Sequence, residues 1–181
     1  MTDITVVNVV GTAQLSRKLD LNKIALSLDG AEYEPEQFPG LIYRIDNPKS
    51  AFLIFKSGKA VCTGTRSVEM AQKAVDIAIQ RLKEIDVEVE GRPKIDIVNI
   101  VASYDLGVEL NLNKVAFELG IENIEYEPEQ FPGMVYRVHE PKVVILLFGS
   151  GKIICTGARK LQEVSEAVDL LKEELEDGGF L

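Results

Sequence analysis

Histidine occurs once in this chain of 181 residues, cysteine twice and tryptophan not at all. His139 stands before Glu140-Pro141 and reads as a surface residue at a turn. With no second histidine, neither a Ser/His/Asp nor a Cys/His arrangement is available. Cys62 and Cys155 each lie in an apolar, strand-like run and read as buried thiols. They are too few for a disulfide framework, and no Cys/His cluster offers a metal site. No apolar stretch nears the length of a membrane span, and Met1-Thr2-Asp3-Ile4 does not open like a signal peptide, so the product is expected to be soluble and unsecreted. Gly149-Ser150-Gly151-Lys152 is not a phosphate loop: Leu146 stands where the first glycine belongs, and Ile153 replaces the Ser/Thr. Carboxylates are plentiful, but none forms a recognisable acid/base pair. These absences argue against an enzyme and point to no catalytic residue, cofactor or metal.

Acids are missing from two windows. The net charge is −9, which taken whole argues against a nucleic-acid partner. Yet Asn47 to Val68 contains no acid and four bases, Lys49, Lys56, Lys59 and Arg66. Pro141 to Gln162 again contains no acid and four bases, Lys142, Lys152, Arg159 and Lys160. With +4 in each window, the remainder carries −17. A basic zone on an acidic body steers an anionic ligand to one place.

The two windows are copies. Tyr33-Glu34-Pro35-Glu36-Gln37-Phe38-Pro39-Gly40 recurs intact from Tyr126 to Gly133, and Cys62-Thr63-Gly64 recurs as Cys155-Thr156-Gly157, both at an offset of 93. Over Tyr33–Val68 and Tyr126–Leu161, 21 of 36 positions are identical. Upstream the offset is 91, since Val7-Asn8-Val9-Val10 matches Val98-Asn99-Ile100-Val101, and a two-residue insertion near 120–124 accounts for the change. Pro93 lies at the join. The repeats are placed at 1–91 and at 92–181, the second with a short acidic tail. Two copies are too few for a solenoid, and a pseudo-two-fold pair is the natural alternative.

Within one repeat, Ile4 to Gly11 alternates as a strand, with Asn8 and Val10 on one face and Val7 and Val9 on the other. Leu21 to Leu28 fits a short helix, and Glu32 to Glu34 a short extended piece. Leu41 to Ile45, Ala51 to Phe55 and Lys59 to Thr63 read as strands, the last two joined by a tight hairpin at Ser57-Gly58. Ser67 is placed to cap a long helix whose apolar stripe is Val68, Ala71, Val75, Ala78 and Leu82. The second copy keeps the stripe at Leu161, Val164, Val168, Leu171 and Leu175. Charges on the opposite faces, such as Asp76, Arg81, Glu166 and Glu173, read as solvated. The expected class is α+β: ten strands in a large curved antiparallel sheet, with two long helices able to cover only one face.

A half-exposed antiparallel sheet ordinarily alternates apolar inside and polar outside. Here several strands are apolar on both sides. Phe52 and Ile54 oppose Leu53 and Phe55; Ala60 and Cys62 oppose Val61 and Thr63; Ile153 and Cys155 oppose Ile154 and Thr156. If helices cover one face, the other is a wide apolar patch of the kind that marks interaction sites. A buried dimer interface or a second layer would also account for it.

Phe-Pro-Gly followed by Tyr-Arg, then Phe-x-Ser-Gly-Lys, then Thr-Gly, all twice and in order, resembles the conserved core of TATA-box-binding proteins. The resemblance covers about residues 4 to 175. The symmetry of the two copies, with no long low-complexity extension before them, looks archaeal. The resemblance implies a pseudo-two-fold saddle with helices on the convex face. It implies a general transcription initiation factor that binds the minor groove of A·T-rich promoter DNA. Such a protein would be cytoplasmic and nucleoid-associated.

The resemblance also assigns roles. Phe38, Phe55, Phe131 and Phe148 become wedges that enter opened base steps, although ordinary core packing is the plainer reading of a phenylalanine. The minor groove of A·T pairs shows only acceptors, whereas guanine adds an amino donor. Asn8, Asn99, Thr63 and Thr156 would supply donors. Val10, Val61, Val101 and Ile154 would give flat apolar contact, with Leu53 and Leu146 near the wedges. For the asparagines, a side chain satisfied within the sheet is the competing reading. Arg44, Lys59, Arg66, Arg137, Lys152 and Arg159, with Ser57 and Ser150, would meet phosphates.

Partners follow from the same resemblance. The second-repeat loop with Glu127, Glu129 and Gln130 would bind transcription factor B, and through it the RNA polymerase machinery. Its first-repeat twin has Glu34, Glu36 and Gln37, so the loop alone does not distinguish the two ends, and binding polarity would be set by the partner. A protein-binding or dimerising saddle that uses the same apolar face, including a homodimer when free of DNA, is the rival reading.

Overall fold

The computed structural model describes residues 3–120 and 122–181. The opening Met1-Thr2, and Ile121 within the expected insertion, lie outside the described residues. Contacts divide the chain into two compact units, Asn8–Val98 and Asn99–Leu181, the latter including the chain up to Val7.

The β-branched alternation at the start forms strand β1 (Thr5–Gln14). Helix α1 (Leu21–Ser27) follows, with Asp20 accepting from the Lys23 amide at its N-cap. Strands β2 (Leu41–Asp46), β3 (Lys49–Ile54) and β4 (Lys59–Thr65) then form an antiparallel meander. Helix α2 (Val68–Glu84) closes the unit. Ser67 caps α2 as expected, its hydroxyl accepting from the Met70 amide at 3.0 Å. In this unit the ladders run β2, β3, β4, β1.

The other unit repeats the plan. Strand β5 (Asp96–Asp105) begins it, followed by α3 (Leu112–Leu119) and the short β6 (Ile124–Glu125). Then come β7 (Met134–His139), β8 (Lys142–Leu147), β9 (Lys152–Ala158) and α4 (Leu161–Asp177). Its ladders run β6, β7, β8, β9, β5. Lys160 stands where Ser67 does in the first copy. Here the Glu163 carboxylate reaches back instead, accepting from the Arg159 and Lys160 amides at 2.8 and 3.0 Å.

The described residues contain nine strands rather than ten. The first-copy counterpart of β6 shrinks to a single bridge, Glu32 to Ile42. The longer connection of the second copy lets Asn123 join in: its carbonyl accepts from the Arg137 amide, and its side chain meets His139 at 2.8 Å.

Helix α2 packs on β3 and β4, and α4 packs on β8 and β9. Under α2 lie Leu41, Tyr43, Ile45, Phe52, Ile54, Ala60 and Cys62, all buried together with Ala74, Val75, Ala78 and Leu82. Full burial of a large apolar side chain stabilises by about 1.5–3 kcal/mol, so these stripes hold each helix to its strands. Two expected stripe members do not take part. Val68 and Leu161 are 46% and 50% exposed, and burial begins at Ala71 and Val164. A helical period fixes the angle around the axis, not where along it contact with the sheet starts. Arg81, expected to be simply solvated, donates to the Tyr43 hydroxyl. No helix among the described residues is long and apolar enough to cross a membrane.

Candidate nucleic-acid interface

The alternation along the strands settles which side chains meet the helices. In β3 and β4, Phe52, Ile54, Ala60 and Cys62 are buried, while Ala51, Leu53, Val61 and Thr63 are only half-buried. In β8 and β9, Val143, Ile145, Leu147, Ile153 and Cys155 are buried, while Val144, Leu146, Ile154 and Thr156 are half-buried. Asn8 and Val10 of β1, and Asn99 and Val101 of β5, are half-buried too. The two-sided apolar strands therefore have one packed side and one open side, and in each unit the open side is mainly aliphatic. Both cysteines lie on the packed side, where burial pushes their thiols up to about 11 and leaves them inert at neutral pH.

The four phenylalanines lie at the ends of these strands as two pairs. Phe38 and Phe55 meet edge to face with ring centroids 5.9 Å apart, and Phe131 with Phe148 does the same at 5.9 Å. All four keep solvent exposure, and Phe131 is 39% exposed. The glycine of each Phe-Pro-Gly makes room for the pair. A Cβ on Gly40 would lie 2.7 Å from Phe38 Cε2 and 3.0 Å from Phe55 Cε1. On Gly133 the distances to Phe131 and Phe148 would be 2.7 and 2.9 Å.

Polar groups on the open sides are few and paired off alike. Asn8 Nδ2 donates to Thr63 Oγ1 at 3.1 Å, and its Oδ1 accepts from the Gly64 amide at 2.7 Å. Asn99 Nδ2 donates to Thr156 Oγ1 at 3.3 Å, and its Oδ1 accepts from the Gly157 amide at 2.7 Å. The structure thus brings Asn8 to Thr63 and Asn99 to Thr156. Both ends of each amide have a partner in the sheet, as the competing reading of the asparagines has it. Each Nδ2 has a second hydrogen to give, and each threonine hydroxyl makes only a long 3.4 Å contact back to Oδ1.

The cations lie within β2 and β7 and at or just beyond the ends of β4 and β9. Lys59, Arg66, Lys152 and Arg159 are exposed and take no part in the three ion pairs found among the described residues. Arg44 and Arg137 face Glu32 and Glu125 at 3.5 and 3.3 Å. Exposed pairs of this kind contribute only about 0–1 kcal/mol and yield readily to a stronger anion. Ser57 and Ser150 are exposed in the hairpin turns, and each hydroxyl accepts from the backbone of the following lysine at 3.4 Å. Glu127, Glu129 and Gln130 are exposed in a turn whose Glu127 carbonyl accepts from the Gln130 and Phe131 amides.

Reading the sequence alone misses the counter-charges Glu32 and Glu125 and the roles of four glycines. The glycine signal was present in the recurring Phe-Pro-Gly and Cys-Thr-Gly. The arginine pairs carry no such mark, because their acids lie 12 residues away on another segment.

Comparison with known proteins agrees with this geometry. The family model described as transcription factor TFIID (or TATA-binding protein, TBP) matches residues 3–85 and again 94–177. The TATA-box-binding protein of Picrophilus torridus is 56% identical over 181 residues, covering 100% of this chain and 98% of the relative. That of Thermoplasma acidophilum is 56% identical over 178 residues, covering 98% and 97%. The solved structure of Methanococcus jannaschii TBP superposes with a TM-score of 0.88 at 46% identity, covering 96% of this chain and 98% of that one. The α+β fold class expected from the repeats is therefore the one found. With both repeats matched and relatives aligned over nearly their whole length, the chain belongs to the TATA-box-binding protein family and is a general, non-enzymatic transcription initiation factor.

Proposed function

We propose that this protein binds the minor groove of A·T-rich, TATA-box promoter DNA, bends it by phenylalanine wedging and recruits transcription factor B, and through it RNA polymerase. The observation that carries the reading is the open side of each unit: mainly aliphatic, edged by a phenylalanine pair, with the asparagine–threonine donors among its few polar groups. A groove floor that shows only acceptors asks for a few donors and otherwise close apolar contact. Residues 1–91 and 92–181 act as the two repeats. Val10, Leu53, Val61, Val101, Leu146 and Ile154 press on the sugars and bases. Phe38, Phe55, Phe131 and Phe148 enter base steps, as minor-groove benders of this family do. Arg44, Lys59, Arg66, Arg137, Lys152 and Arg159, with Ser57 and Ser150, hold phosphates. Glu127, Glu129 and Gln130 receive transcription factor B, which sets direction because the twin loop Glu34-Pro35-Glu36-Gln37 offers the same groups. The protein works in the cytoplasm on the nucleoid.

A gel shift with an A·T-rich duplex and a G·C-rich control tests the reading. Six phosphate-binding cations predict a log–log salt slope of roughly −5. Phe55→Ala with Phe148→Ala should lose at least tenfold in affinity, about 1.4 kcal/mol, together with the mobility change that reports bending. Binding that ignores base composition, or that strengthens with salt as apolar self-association does, would reject it.

A further inference from the structure

The shortest hydrogen bonds made by Asn8 and Asn99 come from residues with no side chain. In each unit the ladder between the first strand and the last is irregular. β1 and β4 pair at Val9–Thr65 and again at Gly11–Cys62, so β4 carries an extra residue in this stretch. β5 and β9 do the same between Ile100–Ala158 and Ala102–Cys155. The bulged stretches contain Thr63-Gly64 and Thr156-Gly157, and the glycines take φ of +98° and +99°. Non-glycine residues rarely adopt that conformation, whereas space is no obstacle: a Cβ on Gly64 would come no closer than 3.5 Å to its nearest neighbour, Ser50 Cα. The freed amide N–H of each glycine donates to Asn8 Oδ1 or Asn99 Oδ1 at 2.7 Å.

That bond decides which end of the carboxamide does what. Turned the other way, the amide would set an NH2 group against the glycine N–H at the same distance, donor against donor. With Oδ1 held by the glycine, Nδ2 faces the threonine oxygen. The threonine hydroxyl also reaches Oδ1 in each repeat, but at 3.4 Å against the glycine's 2.7 Å, a longer and weaker contact. The second Nδ2 hydrogen is then left to give, while the threonine hydroxyl hydrogen is held only by that long contact. We propose that Gly64 and Gly157 are positioning residues for base discrimination: their bulge amides lock Asn8 and Asn99 in the donor-outward orientation, so that the open side presents donors to an acceptor-only groove floor and meets a guanine-type amino group donor to donor. The proposal rests on the minor-groove reading above and names what makes that surface selective.

The test compares an A·T duplex with one whose adenines are replaced by diaminopurine, which pairs with thymine and adds only the minor-groove amino group. Wild type should prefer the A·T duplex by roughly tenfold or more. Gly64→Ala with Gly157→Ala should reduce that preference to about threefold or less. In an Asn8→Ala, Asn99→Ala background, the same glycine substitutions should leave the remaining preference unchanged, because their effect passes through the asparagines. Should the glycine variants fail to fold, amide hydrogen exchange by NMR replaces them. The Gly64 and Gly157 protons should be protected in wild type and should lose that protection in Asn8→Ala and Asn99→Ala. A wild type indifferent to the added amino group would overturn the groove reading and this proposal together. A selective wild type with additive glycine and asparagine effects, or with glycine protection that survives loss of the asparagines, would overturn the positioning role alone.

Discussion

The two repeats agree on their open sides and part company on their helical sides. Asn8, Thr63 and Gly64 reproduce Asn99, Thr156 and Gly157 to within 0.2 Å in every shared bond (3.1 against 3.3, 2.7 against 2.7). The helices differ. α2 carries Lys73, Arg81 and Lys83 against Glu69, Asp76 and Glu84, a net charge of zero. α4 carries one lysine, Lys172, against Glu163, Glu166, Asp169, Glu173, Glu174, Glu176 and Asp177, a net −6. Arg81, which donates to Tyr43, has Glu174 as its twin, beside Tyr136. There burial first, then the charge and hydrogen bond of Glu174, push the phenol up to about 12. The tyrosines keep their place in the core while their polar partner changes sign. Exposed charge is cheap to exchange, because water screens it; a part-buried hydrogen-bond pattern is not.

The largest expected break in the symmetry is in the cores. Phe52 and its twin Ile145 are both fully buried. Phe52→Ala should destabilise by about 3–5 kcal/mol and Ile145→Ala by about 2–5, read from denaturant melts, with a larger cavity in the first unit. A negligible loss at Phe52 would mean that its packing against α2 is not what holds that unit.

Alkaline pH tests a feature the copies share. The two thiols are raised from 9.0 to about 11, so the folded chain holds protons that the unfolded chain releases. Their contribution is therefore intact below about pH 9 and is lost as pH rises through about 11, with Tyr136 following between 10.0 and about 12. Cys62→Ala with Cys155→Ala should flatten the fall in melting temperature above pH 9. An unchanged pH profile would sink the assignment.

The smallest effect sharpens a single difference. Thr65 is 2% exposed and its hydroxyl has no partner among the described residues, whereas its twin is Ala158. Thr65→Val keeps the shape, removes the unpaired group and should stabilise by about 1 kcal/mol. A loss of stability on making that change would show that the hydroxyl is satisfied after all.

Much of this was legible in the residues. Strands apolar on both sides, doubled at a fixed offset, gave away a sheet with one side left open, because burial beneath a single helix requires only one of the two faces. The faces of Leu53, Val61 and Ile154 follow directly from that alternation. The bulges did not show, since one extra residue in a strand changes neither composition nor period. The exposed starts of α2 and α4 were hidden for a related reason: Val68 and Leu161 continue a stripe that the sheet beneath does not reach. Nor did any local pattern link Arg81 to Tyr43, 38 residues away.

The phenylalanine pairs, each wedged against a glycine, have an entropic consequence. If they wedge into base steps as proposed above, rings already braced edge to edge would lose little rotational freedom on binding, so much of that ordering would be completed when the chain folds. Enlarging Gly40 or Gly133 would loosen that brace, and the ordering cost would then be taken out of the binding free energy.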